Sequence, residues 1–511
     1  MKNRLLKKLS AMLLCDFYKI AHRLMYPEKT EIISSTWTPR ATRMKGVNGV
    51  VVAGNQAFIK EWLMDFFDDH FFGRSEEEVV EEYTRLVKFA LGVQSPDASH
   101  IRDLHRLGYL PLSIKALPEG TVVPLRVPCL TITNTDPRFF WLTNYVETLA
   151  SCELWPVYTG ATIAREYRKR MDFWAMKTVG NTDGVMFQGH DFSMRGMMGL
   201  YAALKTGMGH LMSFVGTDTI PAILAIEAFY NANIEFELVG TSIPATEHSI
   251  QCTYPDDMSY FKNVIFRVHP SGFVSIVADG RDFWGVLKDT LPQLKQGIMD
   301  RKGGAIGDRV VIRPDSGDPI KIVCGDPDAP VGSLEYKGAV EVLWDIFGGT
   351  ECQVINDNGD STYSLKKYKL LDSHIGLIYG DAITLARAEE IMSRLAAKGF
   401  ASTNCVFGIG SYTYQYNTRD TFGFALKTTA AVIDGKEVQV FKDPPTDNGI
   451  KKSQKGRVAV LKDGETLKFI DGLSLSDVIE GDQLVEIYRD GKLLVDEKWS
   501  DIKKRLAESK I

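Results

Sequence analysis

The sequence predicts an α/β fold: an irregular α/β barrel with an additional β-rich domain formed by the N- and C-terminal segments. Three observations carry this. First, four short apolar runs stop abruptly at polar residues. Val274-Ser275-Ile276-Val277-Ala278 ends at Asp279-Gly280, and Val310-Val311-Ile312 at Arg313-Pro314-Asp315-Ser316-Gly317-Asp318-Pro319. Ile375 to Tyr379 ends at Gly380-Asp381, and Cys405-Val406-Phe407 at Gly408-Ile409-Gly410-Ser411. Such β-branched runs read as buried parallel strands that deliver polar groups at their C-terminal ends. Second, helical patterns at roughly 281–300, 334–348 and 383–398 separate them, the alternation of a barrel with its site on the C-terminal face. Third, the two ends of the chain carry alternating β patterns instead of barrel units.

Taken in order, residues 1–60 mix strand and helix, with Val50-Val51-Val52-Ala53-Gly54-Asn55 as a strand and turn. Helices follow at about 55–67 and 75–91, the second opened by Ser75 with Glu78 three residues on, a capping-box spacing. Ser113 to Leu117 and Val122 to Val127, joined by Pro118-Glu119-Gly120, predict a small antiparallel unit. Helices at about 138–153 and 161–178 precede barrel-like alternation over roughly 185–425. Beyond it, Val458 to Leu461 and Leu467 to Phe469 flank an Asp463-Gly464 turn, and Val485 to Tyr488 and Leu493 to Val495 flank Asp490-Gly491. Both are hairpin signals. A last helix covers about 498–508, and Asp443 to Lys455 reads as a flexible loop. The expected domains are 1–155 (α+β), 156–425 (barrel) and 426–511 (β-rich, packing with the first).

Composition narrows the class. With 511 residues and 44% of them hydrophobic, the chain can bury a large core. A net charge of −5 gives no footing for nucleic-acid binding. No apolar run approaches the roughly 20 residues of a membrane span. The basic stretch Met1 to Lys8 is followed by an apolar run, Leu9 to Leu14, shorter than the roughly 7–15 residues of a secretion signal. Seven scattered cysteines without a CxxC predict reduced thiols in a cytoplasmic protein.

The motifs exclude several chemistries. There is no GxxxxGK[ST], no GxSxG and no HxH pair, and Gly408-Ile409-Gly410 lacks the third glycine of a dinucleotide fingerprint. What remains suits a phosphorylated sugar. Gly380-Asp381 and Gly408-Ile409-Gly410-Ser411 fall on the last two barrel strands, where barrels hold phosphate on backbone N–H groups. Asp381 and Asp315 can accept from ribose hydroxyls, and Arg313 can clamp a phosphate. Arg419, Lys427, Lys442, Lys451, Lys452, Lys455 and Arg457 cluster in an otherwise acidic chain, either as an anion site or as a solvated surface. His248, beside Glu247 in a turn-like segment, is either structural or a reactive imidazole.

Several segments carry a family resemblance: Asp16-Phe17-Tyr18-Lys19, Ile114 to Gly120, Asn134-Thr135-Asp136-Pro137, His190-Asp191-Phe192 with Arg195-Gly196, Phe214 to Thr219, Ser242 to Ser249, Ile312 to Gly317, Thr418-Arg419-Asp420, Val440 to Pro444 and Lys455-Gly456-Arg457. In order and over nearly the whole chain, they resemble the type II phosphoribosyltransferases, on the nicotinamide-using branch that serves NAD salvage. The resemblance implies transfer from phosphoribosyl pyrophosphate to nicotinamide, Mg²⁺, ATP as co-substrate, and a homodimer with shared sites. It implies that Phe192 and the partner's Tyr18 sandwich the pyridine, with Asp16 nearby, and that Asp218 accepts from the carboxamide. Arg195, Ser242, Ser275, Arg313 and Asp315 would line ring, ribose and phosphates, with Gly380, Asp381, Gly410 and Ser411 around the 5′-phosphate and ribose. Arg40, Arg419, Lys427, Lys442 and Lys451 would neutralise phosphates. His248 would be phosphorylated by ATP with Glu247 assisting, and Asp279 with Asp315 would hold the metal.

Two positions depart from the pattern. Ala382 and Ser411 stand where the family usually has glycine, and both keep the backbone N–H. Two rival readings follow. A nicotinate phosphoribosyltransferase shares the fold, and Asp218 separates them because a carboxylate repels nicotinate. A non-catalytic binding protein could keep the fold, but every charged residue that the chemistry needs is present.

Overall fold

Pro244 shapes the barrel, because it interrupts the segment that closes it. The computed structural model describes residues 9–357, 363–442 and 453–509. It divides the chain into two compact units, Ile163–Ile223 with Ile234–Tyr416, and Met1–Thr162 with Leu224–Asn233 and Asn417–Ile511.

The first of these is an irregular α/β barrel. Six strands pair in the order Gly216–Thr217, Gly189–Asp191, Cys405–Ile409, Ile375–Tyr379, Arg309–Arg313, Phe273–Val277, all in parallel. Val274, Ile276, Val310, Ile312, Leu377 and Phe407 are fully buried, the continuous apolar reading of a sheet covered on both faces. The two edges are joined by one segment: Thr241 bridges Gly216, and Ala245 bridges Ser275. The Thr241 N–H donates to Val215 O at 2.7 Å, and the Ser275 N–H to Pro244 O at 2.8 Å. Pro244 has no N–H to give, so this seventh position closes the barrel without becoming a regular strand.

The four strands expected from sequence are present, and the strands at 189–191 and 216–217 are additional. These two are too short and polar to stand out by periodicity. The helix expected at 281–300 runs from Phe283 to Met299, and that at 383–398 is Leu385–Ala397. The pattern at 334–348 is two helices, Leu334–Lys337 and Ala339–Phe347, split at Gly338.

The other unit is built on a seven-stranded antiparallel sheet. Its order is Lys436–Gln439, Ala425–Ile433, Thr30–Thr38, Leu130–Asn134, Leu112–Ala116, Val485–Arg489, Lys492–Leu493. Under it, Trp37 stacks on Phe424 with centroids 5.1 Å apart. Both Asp-Gly hairpins form, pairing Asp463 with Thr466 and Arg489 with Lys492, and the last helix is Trp499–Glu508. Ser75 accepts the Glu78 N–H at 3.3 Å, capping the helix Glu76–Leu91.

Two expectations differ. The segment Val122–Pro124 pairs with Gly49–Val51, whereas Leu112–Ala116 pairs with Leu130–Asn134. The buried Glu119 carboxylate accepts the Gly54 and Gln56 N–H groups, which draws the following strand toward residues 49–51. The helices at 138–153 and 161–178 are the short Leu142–Tyr145 and one continuous helix, Glu147–Thr178, with Pro156 inside. Val157, Tyr158, Ala161 and Ala164 after the proline are buried, which offsets the hydrogen bond lost there. The expected loop at 443–455 lies mostly outside the described residues, and Lys451 with it.

Candidate active site

Every strand of the barrel ends in a residue singled out from sequence. Gly189–Asp191 is followed by Phe192 and Arg195, Gly216–Thr217 by Asp218, and the closing segment holds Ser242 and leads to Glu247 and His248. Phe273–Val277 leads to Asp279, Arg309–Arg313 ends in Arg313 and leads to Asp315, Ile375–Tyr379 is followed by Gly380 and Asp381, and Cys405–Ile409 by Gly410 and Ser411. The barrel topology therefore collects residues spread over more than 200 positions on one face. Ser275 is the exception, buried in the middle of its strand.

Phe192, Met194, Arg195, Met197, Leu200 and Asp218 line a cavity of about 610 Å³. Phe192 lies where two strands carry glycine. A Cβ on Gly408 would approach its Cδ2 to 2.4 Å, and one on Gly380 its Cε2 to 3.3 Å. Asp218 is held at a single oxygen: Oδ1 lies 2.8 Å from His190 Nε2 and accepts the Ser242 hydroxyl at 2.7 Å. Burial pushes the Asp218 pKa up, but the bonds with His190 and Ser242 and the charge of Arg313 outweigh it, leaving the carboxyl below its ordinary value. The site thus presents an aromatic ring, an ionised acceptor and the exposed Arg195 guanidinium.

A second cluster surrounds Asp279. Its Oδ1 lies 2.9 Å from His248 Nε2, and its Oδ2 accepts the Asp315 N–H at 2.8 Å and the Ser316 hydroxyl at 2.6 Å. Burial raises the Asp279 pKa, and these bonds more than reverse it. Asp315 goes the other way: burial raises its pKa, and neighbouring Asp279 and Asp381 add to that against the pull of Arg313. Arg313 Nη2 donates to Thr246 O at 2.8 Å, and its buried Nε has no partner among the described residues. Two roles shift. Glu247, expected to assist His248, instead accepts the Ser249 hydroxyl, because its extended backbone (φ −131°, ψ 170°) turns adjacent side chains apart. Asp279, expected on a metal, has both oxygens committed. No group of three His, Cys, Asp or Glu side chains suited to a metal occurs among the described residues. These residues build no metal cage, and Asp315 with Asp381 is the carboxylate pair that suits an ion arriving on a substrate's phosphates.

The remaining expected residues lie in the β-rich unit. Arg40, Lys427 and Lys442 line a cavity of about 530 Å³. Arg126, which in sequence is one residue of an alternating β run, lines it too, at a φ of 73°. Arg40 Nε donates to Gly423 O at 2.9 Å; burial lowers its pKa, and the nearby Arg419 charge adds a smaller push in the same direction. Among the described residues, four cations and one carboxylate, Asp471, line this cavity, and Lys427 also pairs with Glu147 at 3.6 Å; the balance of charge there suits an anion. Asp16 accepts the Thr148 hydroxyl at 2.8 Å at the start of the helix Phe17–Met25, and Tyr18 on that helix is 57% exposed.

Comparison with known proteins gives the family and the fold. The model of the nicotinate phosphoribosyltransferase (NAPRTase) family matches residues 187–492. The nicotinamide phosphoribosyltransferase of Acinetobacter baylyi is 46% identical over 501 residues, 96% of each chain. That of Mycoplasma pneumoniae is 33% identical over 460 residues, 86% of this chain and 93% of its own. Among solved structures, human nicotinic acid phosphoribosyltransferase has a TM-score of 0.56 at 13% identity, covering 97% of this chain and 93% of its own. The nicotinate-nucleotide pyrophosphorylase of Pyrococcus furiosus has a TM-score of 0.55 at 14% identity, covering 99% and 96%. At such identity these two speak for the fold alone. No helix among the described residues is long and apolar enough to cross a membrane. The chain belongs to the nicotinate phosphoribosyltransferase (NAPRTase) family and is a phosphoribosyltransferase of NAD salvage.

Proposed function

We propose that the protein transfers the phosphoribosyl group of phosphoribosyl pyrophosphate to nicotinamide, giving nicotinamide mononucleotide and pyrophosphate. The observation that carries this reading is Asp218. Its Oδ1 is occupied by His190 and Ser242, which leaves Oδ2 to accept a carboxamide N–H. An ionised carboxylate there repels nicotinate, so the neutral base is favoured. The two relatives named for nicotinamide support the same choice.

Phe192 stacks the pyridine and Asp218 fixes its rotation, which aims the ring nitrogen at C1′ of the ribose. That nitrogen forms the new bond as the C1′–O bond breaks, and pyrophosphate leaves with the electron pair. Such transfer passes through an oxocarbenium-like state, in which orientation and neutralisation of the leaving group matter more than a strong base. Arg313, Arg195 and the four cations of the β-rich unit are suited to the phosphates, and Asp315 and Asp381 to the ribose hydroxyls. Asp315 and Asp381 would hold a magnesium ion brought by the pyrophosphate, which would help neutralise the leaving group.

ATP acts as co-substrate through His248. Its γ-phosphoryl passes to the imidazole, the bond to the β-phosphate oxygen breaks and ADP leaves. Later hydrolysis of phosphohistidine drives the transfer forward. Exposed apolar side chains in each unit, Phe17 and Tyr18 in one and Met198 and Leu200 in the other, favour a homodimer in which one protomer's β-rich unit completes its partner's barrel site. The test is product analysis from nicotinamide and from nicotinate, each with phosphoribosyl pyrophosphate, with and without ATP. Nicotinamide mononucleotide made faster with ATP supports the reading. Nicotinate mononucleotide as the sole product turns it into the rival one.

A further inference from the structure

His190 lies on the strand Gly189–Asp191, directly opposite Gly216 in the parallel register. Its Nε2 is 2.8 Å from Asp218 Oδ1. An ionised carboxylate only accepts, so this nitrogen carries the proton and donates it. The imidazole can lie across the neighbouring strand because Gly216 has no side chain. A Cβ there would stand 2.8 Å from His190 Nδ1 and 3.3 Å from its Cγ. The same ring packs against Phe192, with centroids 4.7 Å apart. One residue thus touches both the carboxylate and the aromatic floor of the pocket.

We propose that His190 is the positioning residue that decides which pyridine the pocket accepts, with Gly216 as the space that lets it do so. This rests on the reading of Asp218 as the acceptor for nicotinamide. With Ser242 and His190 both donating to Oδ1, the carboxylate cannot rotate, and Oδ2 points one lone pair in a fixed direction. Nicotinamide meets an oriented acceptor. Nicotinate meets an anion that can neither turn away nor readily take a proton, since the same two donors favour its ionised form. Without the imidazole donor, Ser242 alone holds the group. Nicotinamide then loses orientation, and nicotinate loses part of the repulsion.

Three variants test this by steady-state kinetics on both bases at saturating phosphoribosyl pyrophosphate. His190→Phe keeps a ring against Phe192 but has no donor. His190→Gln keeps an amide donor of similar reach. Gly216→Ala keeps the donor and displaces the ring. Loss of one charge-assisted hydrogen bond predicts an increase of about tenfold in the KM for nicotinamide in His190→Phe, and a narrowing of similar size in the nicotinamide-to-nicotinate ratio of specificity constants. The loss falls on KM more than on kcat. His190→Gln recovers most of the ratio, and Gly216→Ala lies between. A parallel fall in kcat for both bases, with the ratio unchanged, is what a structural role gives and overturns the proposal. A wild-type ratio in Gly216→Ala also overturns it, whether or not His190→Phe folds. Wild-type protein that makes no nicotinamide mononucleotide overturns the underlying reading and the proposal together, and is seen before any variant is made.

Discussion

Asp279 Oδ1 lies 2.9 Å from His248 Nε2, while Oδ2 of the same carboxylate is pinned by the Asp315 N–H and the Ser316 hydroxyl. A carboxylate with both oxygens engaged is a rigid acceptor. It fixes the imidazole as the Nε2–H tautomer and leaves the Nδ1 lone pair free. The loop that begins at Asp315 and the histidine that receives phosphate in the proposed cycle therefore share one anchor.

The first prediction follows from that tautomer. In Asp279→Asn the amide can donate to Nε2, which moves the ring proton to Nδ1 and removes the free lone pair. Incubated with labelled ATP and Mg²⁺, the wild-type protein should gain an acid-labile, base-stable phosphate at His248. The rate should fall by ~100-fold or more in Asp279→Asn, the order expected of a wrong tautomer. Label that persists in His248→Ala, or that maps to His190, sinks both the nucleophile and its anchor.

The second prediction concerns assembly. Arg419 and Arg40 lie in one unit and Asp218 and Phe192 in the other. If protomers share sites, an inactive Arg419→Ala chain mixed with an inactive Asp218→Ala chain should form heterodimers carrying one intact site. Activity should then reappear on mixing, in proportion to subunit exchange. Demonstrated exchange without recovered activity would mean that each site is built within one chain.

Much of the fold and site is legible in the sequence, and the reasons differ by residue. Asp279, Arg313, Gly380 and Gly410 stand out because short apolar runs end at or just before them. Phe192 and Asp218 follow strands of only three and two residues, so periodicity is silent and only the resemblance of their motifs names them. Adjacency in sequence points His248 toward Glu247, whereas its partner Asp279 follows the neighbouring strand Phe273–Val277, which the closing segment bridges. Pairing of Val122–Pro124 with Gly49–Val51 depends on where the Glu119 side chain goes, which local pattern does not encode. Ala382, where the resemblance leads one to expect glycine, has a φ of 54°, a left-handed backbone that glycine would adopt without strain.

A third prediction uses the floor of the base pocket. A Cβ at position 408 would lie 2.4 Å from Phe192 Cδ2 and 2.6 Å from the Gly380 Cα. Gly408→Ala must therefore tilt the ring or push the two strands apart, and overpacking of this kind costs about 1–3 kcal/mol. The KM for nicotinamide should rise, and the thermal midpoint should fall. Unchanged values for both would mean that Phe192 is not seated on these glycines in solution.

The last prediction is a pH dependence of stability that has nothing to do with catalysis. Glu119 is buried and accepts the Gly54 N–H at 2.6 Å, the Gln56 N–H at 2.7 Å and the Tyr230 hydroxyl at 3.0 Å. Burial, with Glu497 nearby, raises its pKa more than these bonds lower it, to about 7. Below the unfolded value both states are protonated, and the contribution of this group is at its full favourable level. As pH climbs from about 4.5 to about 7, the unfolded chain releases the proton first, so the folded state progressively loses stability, by roughly 3 kcal/mol in all. Glu119→Gln cannot titrate and should lack this slope. The difference in thermal midpoint, wild type minus Glu119→Gln, should therefore shrink steadily between about pH 5 and about pH 7.5. A constant difference across that range would place the Glu119 pKa near its unfolded value, with the hydrogen bonds balancing the burial. A difference that widens with pH would mean that they outweigh it.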